Sequence, residues 1–152
     1  MTVIAYRDGI MAADKQSTFQ DMRMRTTKLF QHDDWIVGGC GGTAKIREIH
    51  EWMRNGMDPL TLPSFQRESE TSVVMLLVKK DGLYYMDDSH ALIHIEQSFY
   101  ACGSGRDFAM AAMHMGATAK EAAEIACIYS STCGMGVDTM QVPGWDGGVP
   151  SQ

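Results

Sequence analysis

The sequence has no excess of basic charge. Lysine and arginine number 13 against 19 aspartates and glutamates, a formal net charge of −6. A surface built to hold nucleic acid needs the opposite balance, which argues against that class of partner. No apolar run approaches the roughly 20 residues that a membrane helix requires, so a membrane role is not expected either. Arg7 and Asp8 interrupt the apolar start before it can read as a secretion signal, and a cytoplasmic location is expected. Cysteine is sparse. Cys40, Cys102, Cys127 and Cys133 are widely spaced and form no C-x-x-C pair, so they read as free thiols buried as small hydrophobes. There is no G-x-S-x-G elbow to present a serine nucleophile. No internal repeat or linker is visible. What is present is ordinary for a globular domain: 152 residues, 45% hydrophobic and 21% charged, long enough for one core. The 13 methionines read mainly as core filler.

Strand signals dominate the first half. "TVIAYRDGIMAAD" reads as two strands joined at Asp8–Gly9. A polar connection follows. "TKLFQ" and "DWIVGGC" then read as a second pair turning at Asp33–Asp34. "GGTAKIREIHEWMRNG" turns helical, with Ile46, Ile49, His50 and Met53 on one stripe and Gly56 as its C-terminal stop. "MDPLTLPSFQRESE" reads as a loop with a short helix. "TSVVMLLVKKDGLYYMD" is a hairpin turning at Asp81–Gly82, and "ALIHIE" and "FYACG" are further short strands. Two helices follow, "RDFAMAAMHMG" stopped by Gly116 and "TAKEAAEIACIYSS" opened by a Thr118/Glu121 capping box. "GVDTMQV" reads as a last strand and "PGWDGGVPSQ" as a loose tail.

Several residues carry chemical potential. Thr2 stands directly behind Met1. Loss of Met1 gives Thr2 a hydroxyl and a free α-amine on one residue. That amine titrates near 7.7–8.0 and can act as base for its own hydroxyl, directly or through a water. Small polar residues are common at position 2, so Thr2 alone says little. Asp14 ends one hydrophobic strand and Lys28 opens another. As solvated strand ends they need no function. Beside Thr2, a lysine cation would lower the amine's pKa and stabilise negative charge on the threonine oxygen, with Asp14 holding the lysine. The glycines of "GGCGGTAK" permit close backbone approach at a strand–helix junction, where N–H groups make an oxyanion hole or simply a tight turn. In "CGSGRDFA", Ser104 is placed to support a terminal amine or to cap the following helix. His90 and His94 lie four apart in strand-like sequence, where that spacing does not build a helical metal pair. His32, His50 and His114 are isolated, and structural or surface roles are expected for all five.

In this order the residues resemble the proteasome β-subunit family, the HslV-type peptidases above all. The likeness rests on Thr2, "MAADKQST", "TTKLF", "CGGTA", "CGSGRDFA" and "EAAEIACIYSSTCG", and it runs from Thr2 to about Met140. It implies an α+β fold, the four-layer αββα sandwich of antiparallel sheets typical of N-terminal-nucleophile hydrolases. That domain would span residues 1–142, with 143–152 as a tail. It also implies hydrolysis of polypeptide substrates inside homo-oligomeric stacked rings, an AAA+ unfoldase cap as partner, and no cofactor for the chemistry. Carried over, Thr2 is the nucleophile and its amine the base. Lys28 tunes the charge, Asp14 orients Lys28, the Gly41 N–H donates to the oxyanion, and Ser104 supports the amine. Backbone carbonyls of Cys127, Ser130 and Cys133 would bind a monovalent cation such as Na+.

The sequence departs from the family at Val3, where a second threonine is usual, and at Cys40, where alanine is usual. Ser130 stands where proteasomes carry aspartate, as HslV-type sequences also do without it. The stretch after the first helix is shorter than in HslV-type chains, which points to a self-contained or differently partnered particle. Two other readings stay open. One is an inactive ring or scaffold subunit on the same fold, the other an N-terminal-nucleophile hydrolase of small amides.

Overall fold

The N-terminal hairpin has two apolar faces, and the fold covers both. The computed structural model describes residues 1–61, 63, 73–87 and 91–147. Strands β1 (Ile4–Arg7) and β2 (Ile10–Asp14) pair antiparallel with Arg7 opposite Ile10. The connecting Asp8 and Gly9 both have positive φ, the type I′ geometry that suits a two-residue hairpin. Side chains alternate across a strand. Ile4, Tyr6, Met11 and Ala13 therefore point to one face and Ala5 and Ala12 to the other.

The polar stretch after Asp14 is a second hairpin rather than a plain connection. Strands β3 (Gln16–Phe19) and β4 (Met22–Arg25) pair through Gln20 and Asp21, both at positive φ. Its residues lack the β-branched alternation that marks a strand, so sequence patterning passes over it. Next come β5 (Leu29–His32) and β6 (Trp35–Cys40), turning at Asp33–Asp34. Helix α1 (Thr43–Arg54) follows, with Gly56 at φ 98° just beyond its end. A short 3-10 turn covers Pro59–Thr61. Much of the loop that follows, and His90, lie outside the described residues.

Strands β7 (Val74–Lys79) and β8 (Gly82–Met86) form the next hairpin. Gly82 pairs with Lys79, so the turn is Lys80–Asp81, one residue earlier than the Asp-Gly pattern suggests. Short strands β9 (Leu92–His94) and β10 (Phe99–Cys102) lead to helices α2 (Arg106–His114) and α3 (Ala119–Tyr129). The capping box of α3 is complete. Glu121 N–H donates to Thr118 Oγ1 at 3.1 Å, and Thr118 N–H donates to the Glu121 carboxylate at 2.9 Å. Strand β11 (Val137–Gln141) closes the first sheet.

The sheets are antiparallel, in the orders β10-β1-β2-β11 and β5-β6-β7-β8-β9. Ile4, Tyr6 and Met11 meet Leu29, Ile36, Leu76 and Val78 between them. On the outer face of the first sheet, Ala5, Ala12 and Ala101 pack on Ala109, Met113, Ala122 and Ala126 of α2 and α3. On the outer face of the second, Val37, Met75 and Leu77 pack on Ile46, Ile49 and Met53 of α1. The layers run helix, sheet, sheet, helix, as the αββα expectation requires.

The stretch leading into the tail is anchored at Val142 and Trp145. Val142 N–H donates to the Gly9 carbonyl at 2.7 Å, and the Trp145 ring lies where any side chain at Gly9 would stand. Residues 148–152 lie outside the described residues.

The packing around β6 is tight on both faces. A Cβ at Gly39 would come within 2.8 Å of Ile46 and 2.9 Å of Met75. Gly39→Ala is expected to cost about 1–3 kcal/mol through overpacking, read from the midpoint of urea unfolding. An unchanged midpoint would show that α1 can yield.

Candidate active site

The site is assembled where the two sheets come together beside the N-terminus. Asp14 ends β2, and its carboxylate is fully buried. Its Oδ1 accepts the Val3 N–H at 3.1 Å and Lys28 Nζ at 2.8 Å. Its Oδ2 accepts the Gln16 N–H at 3.2 Å and the Gly134 N–H at 3.1 Å. A buried charge persists only when it is paired and hydrogen-bonded, and Asp14 is both.

Lys28 directly precedes β5 and is 8% exposed. Its ammonium donates to Asp14 Oδ1, to Thr2 Oγ1 at 3.1 Å and to the Met1 carbonyl at 3.1 Å. Three donor positions meet three acceptors, which aims the Lys28 nitrogen at the threonine hydroxyl.

Thr2 is itself gripped through its backbone. Its N–H donates to Ser104 Oγ at 3.0 Å, and its carbonyl accepts the Gly105 N–H at 3.1 Å. Gly103, at φ 96°, packs so closely on the Thr2 carbonyl that a Cβ there would collide with it. Ser104 therefore faces Thr2. It does not cap α2, whose N-cap is Gly105, without a side-chain hydrogen bond.

The hydroxyls continue beyond Ser104. Ser104 Oγ and Thr132 Oγ1 are 2.8 Å apart, as are Thr132 Oγ1 and Ser130 Oγ. Sequence reasoning did not single out Thr132 or Gly134. The signal was weak, a "STCG" run after the last helix.

A cavity of about 300 Å³ opens onto Thr2 and Lys28. Gly41, at φ 127°, and Gly42 form part of its wall, with Phe30 and Ile46 as apolar lining and Arg47 adding a cation. Phe30, Ile46 and Arg47 were also not foreseen, because strand and helix patterning assigns such positions to packing or solvent.

The expected cation turn lies nearby. Cys127 is in the last turn of α3, and Ser130 is its C-cap. The Ser130 carbonyl accepts the Cys133 N–H at 3.3 Å, which leaves it one lone pair. Burial, with the Asp14 charge adding, pushes the Cys127 thiol up to about 11, so this sulfur is a neutral thiol at neutral pH. Among the described histidines, His50 stacks on Phe30 behind the cavity wall and His94 tilts against Tyr84.

No protein-family model matches the chain, and no curated protein matches it. Solved structures do match. Thiobacillus denitrificans BPH in complex with epoxomicin superposes with a TM-score of 0.68 at 15% identity, covering 93% of this chain and 98% of that one. Eukaryotic HslV from Trypanosoma brucei superposes with a TM-score of 0.67 at 20% identity, covering 91% and 97%. Likeness at this identity establishes the shared fold.

Asp14→Ala would leave Lys28 buried without its counter-charge and orphan three backbone N–H groups. The expected loss is about 3–5 kcal/mol in chemical denaturation. A loss under about 1 kcal/mol would mean that the pair does not hold the site together.

Proposed function

We propose that the protein is an N-terminal threonine peptidase, with Thr2 as nucleophile once Met1 has been removed. The observation that carries this reading is the buried chain from Asp14 through Lys28 to the Thr2 hydroxyl, at 2.8 and 3.1 Å, on the wall of an open cavity. A scaffold subunit has no need to bury a lysine against a threonine hydroxyl. The fold shared with HslV and BPH supports the same reading.

The chemistry follows from the groups present. With Met1 gone, the Thr2 nitrogen is a free amine. Lys28 loses the Met1 carbonyl as an acceptor, so one ammonium proton becomes available to charge developing in the cavity. The same cation disfavours protonation of the amine by like-charge repulsion. The amine accepts the proton of Oγ1, and Oγ1 attacks the scissile carbonyl carbon. The Gly41 N–H is the proposed donor to the oxyanion. The protonated amine then gives its proton to the leaving nitrogen, and an ester to Thr2 remains. Water, deprotonated by the amine, hydrolyses that ester and restores the threonine. Asp14 acts here as a positioning residue, and Ser104 steadies the amine.

Polypeptides are the proposed substrates, and closed rings of identical subunits the proposed assembly. Exposed Phe19, Met22 and Met24 on the β3–β4 ribbon are apolar surface that a neighbouring copy would cover. An AAA+ unfoldase is the proposed class of partner for folded substrates. A monovalent cation at the carbonyls of Cys127, Ser130 and Cys133 would brace the turn that carries Gly134, and no step of the reaction passes through it.

Intact mass is expected to show a chain lacking Met1, and that chain should cleave a fluorogenic peptide. Thr2→Ala should reduce cleavage at least about a thousandfold, while Thr2→Ser keeps a measurable part of it. Cleavage by Thr2→Ala at the wild-type rate, or by a chain that retains Met1, overturns the assignment. Epoxomicin should add one inhibitor mass to the processed chain and none to Thr2→Ala. Light scattering is expected to give a closed oligomer, and a monomer would favour the small-amide reading.

A further inference from the structure

A second pair of side chains bridges the two sheets, and the reaction at Thr2 makes no use of it. Cys40 ends β6, and Cys102 ends β10. Both face the layer between the sheets, and both are free and nearly buried. Their Sγ atoms lie 2.8 Å apart. A disulfide needs about 2.05 Å, so small rotations and a slight approach of the two strand ends would close it.

The neighbours of these cysteines give such a bond its consequence. Cys40 sits between Gly39 and Gly41, both on the cavity wall. Cys102 is followed by Gly103, Ser104 and Gly105, the three residues that grip the Thr2 backbone. Each sulfur is thus tied to one of the two segments that frame Thr2.

We propose that Cys40 and Cys102 form a reversible oxidation site, in which a peroxide converts the two thiols to a cross-sheet disulfide that lowers turnover at Thr2. Cys40, 8% exposed and flanked by the cavity-wall residues Gly39 and Gly41, is the proposed point of attack. Its thiolate attacks one peroxide oxygen, the O–O bond breaks, and the departing hydroxide is protonated to water. Cys40 is then a sulfenic acid. The Cys102 sulfur attacks the Cys40 sulfur, the S–O bond breaks, and a second water leaves with the Cys102 proton. Two thiols and one hydrogen peroxide give one disulfide and two waters. A small thiol reverses the bond by exchange. The hydrogen bond to Cys40, and burial, push the Cys102 thiol up, so it waits protonated until Cys40 has reacted. Cys133 packs instead beside Gly105 and Thr132.

Bond formation must draw the sulfurs together by about 0.75 Å, the difference between 2.8 and about 2.05 Å. Side-chain rotation and the two segments carrying Gly41 and Ser104 share that movement. A reacting constellation tolerates about 0.5 Å, so the oxidised site is the slower one.

The effect on turnover rests on the peptidase reading, whereas the bond itself does not. The test treats the processed full chain with hydrogen peroxide, blocks remaining thiols, and maps linked peptides by mass. A Cys40–Cys102 cross-link short of two hydrogens is expected, with Cys127 still blockable. The unfolding temperature should rise on oxidation, and this rise should be absent in Cys102→Ala. Peptide cleavage should fall about tenfold or more and return with dithiothreitol, and Cys40→Ala should show no fall. Four blockable thiols after peroxide, or a cross-link mapped to Cys127 or Cys133, overturns the site. A cross-link without a fall in cleavage, or a fall that persists in Cys40→Ala, overturns its effect on turnover. If the reduced chain cleaves nothing, the peptidase reading fails, and the linkage map and unfolding temperature still decide the bond.

Discussion

The buried pairing of Asp14 with Lys28 is the constraint on which the rest depends. Asp14 belongs to one sheet, while Lys28 leads into the other. The carboxylate also accepts N–H groups from Val3, Gln16 and Gly134. One side chain thus fixes the entry to β1, the start of the β3–β4 ribbon, the turn before β11 and the approach to β5. Such a charge is costly to bury and becomes tolerable only when every acceptor position is filled. The same saturation leaves Lys28 one direction in which to point, toward Thr2.

Around that link the sandwich is an exercise in side-chain size. On the helix-facing side of the first sheet the strands present alanines, which lets α2 and α3 approach closely. Between the sheets the residues are larger, with Ile4, Met11, Leu29 and Leu76 filling the space. Gly38 and Gly39 in β6 remove side chains at the point where Ile4 presses from one face and Ile46 from the other. Close packing there brings the strand end, and with it Gly41, up to the cavity. The position of the site is in this sense a product of core volume.

Much of this was legible in the sequence, for identifiable reasons. Asp8–Gly9 and the Thr118/Glu121 box are local codes whose meaning does not depend on the rest of the chain. The αββα arrangement followed from hairpins and grouped helices together with the family resemblance. The grouping of Thr2, Asp14, Lys28 and Ser104 came from that resemblance, since no local pattern joins residues so far apart. The β3–β4 hairpin was not legible, because its turn uses Gln20 and Asp21 in a conformation usually left to glycine or asparagine. Trp145 was not legible either, because its contact with Gly9 exists only once the chain has folded. Thr132 and Gly134 were hidden because their partners lie some thirty and 120 residues away.

The row of hydroxyls from Ser130 through Thr132 to Ser104 has a property that amides and carboxylates lack. Each hydroxyl both gives and takes a hydrogen bond. Rotating three O–H bonds reverses the polarity of the whole row while every heavy atom stays where it is. The row ends on the Thr2 nitrogen, which in the intact chain can only donate. A free amine at the same place can also accept. The same row therefore fits the Thr2 nitrogen as a peptide N–H and would fit it equally as the free amine of the proposed mechanism.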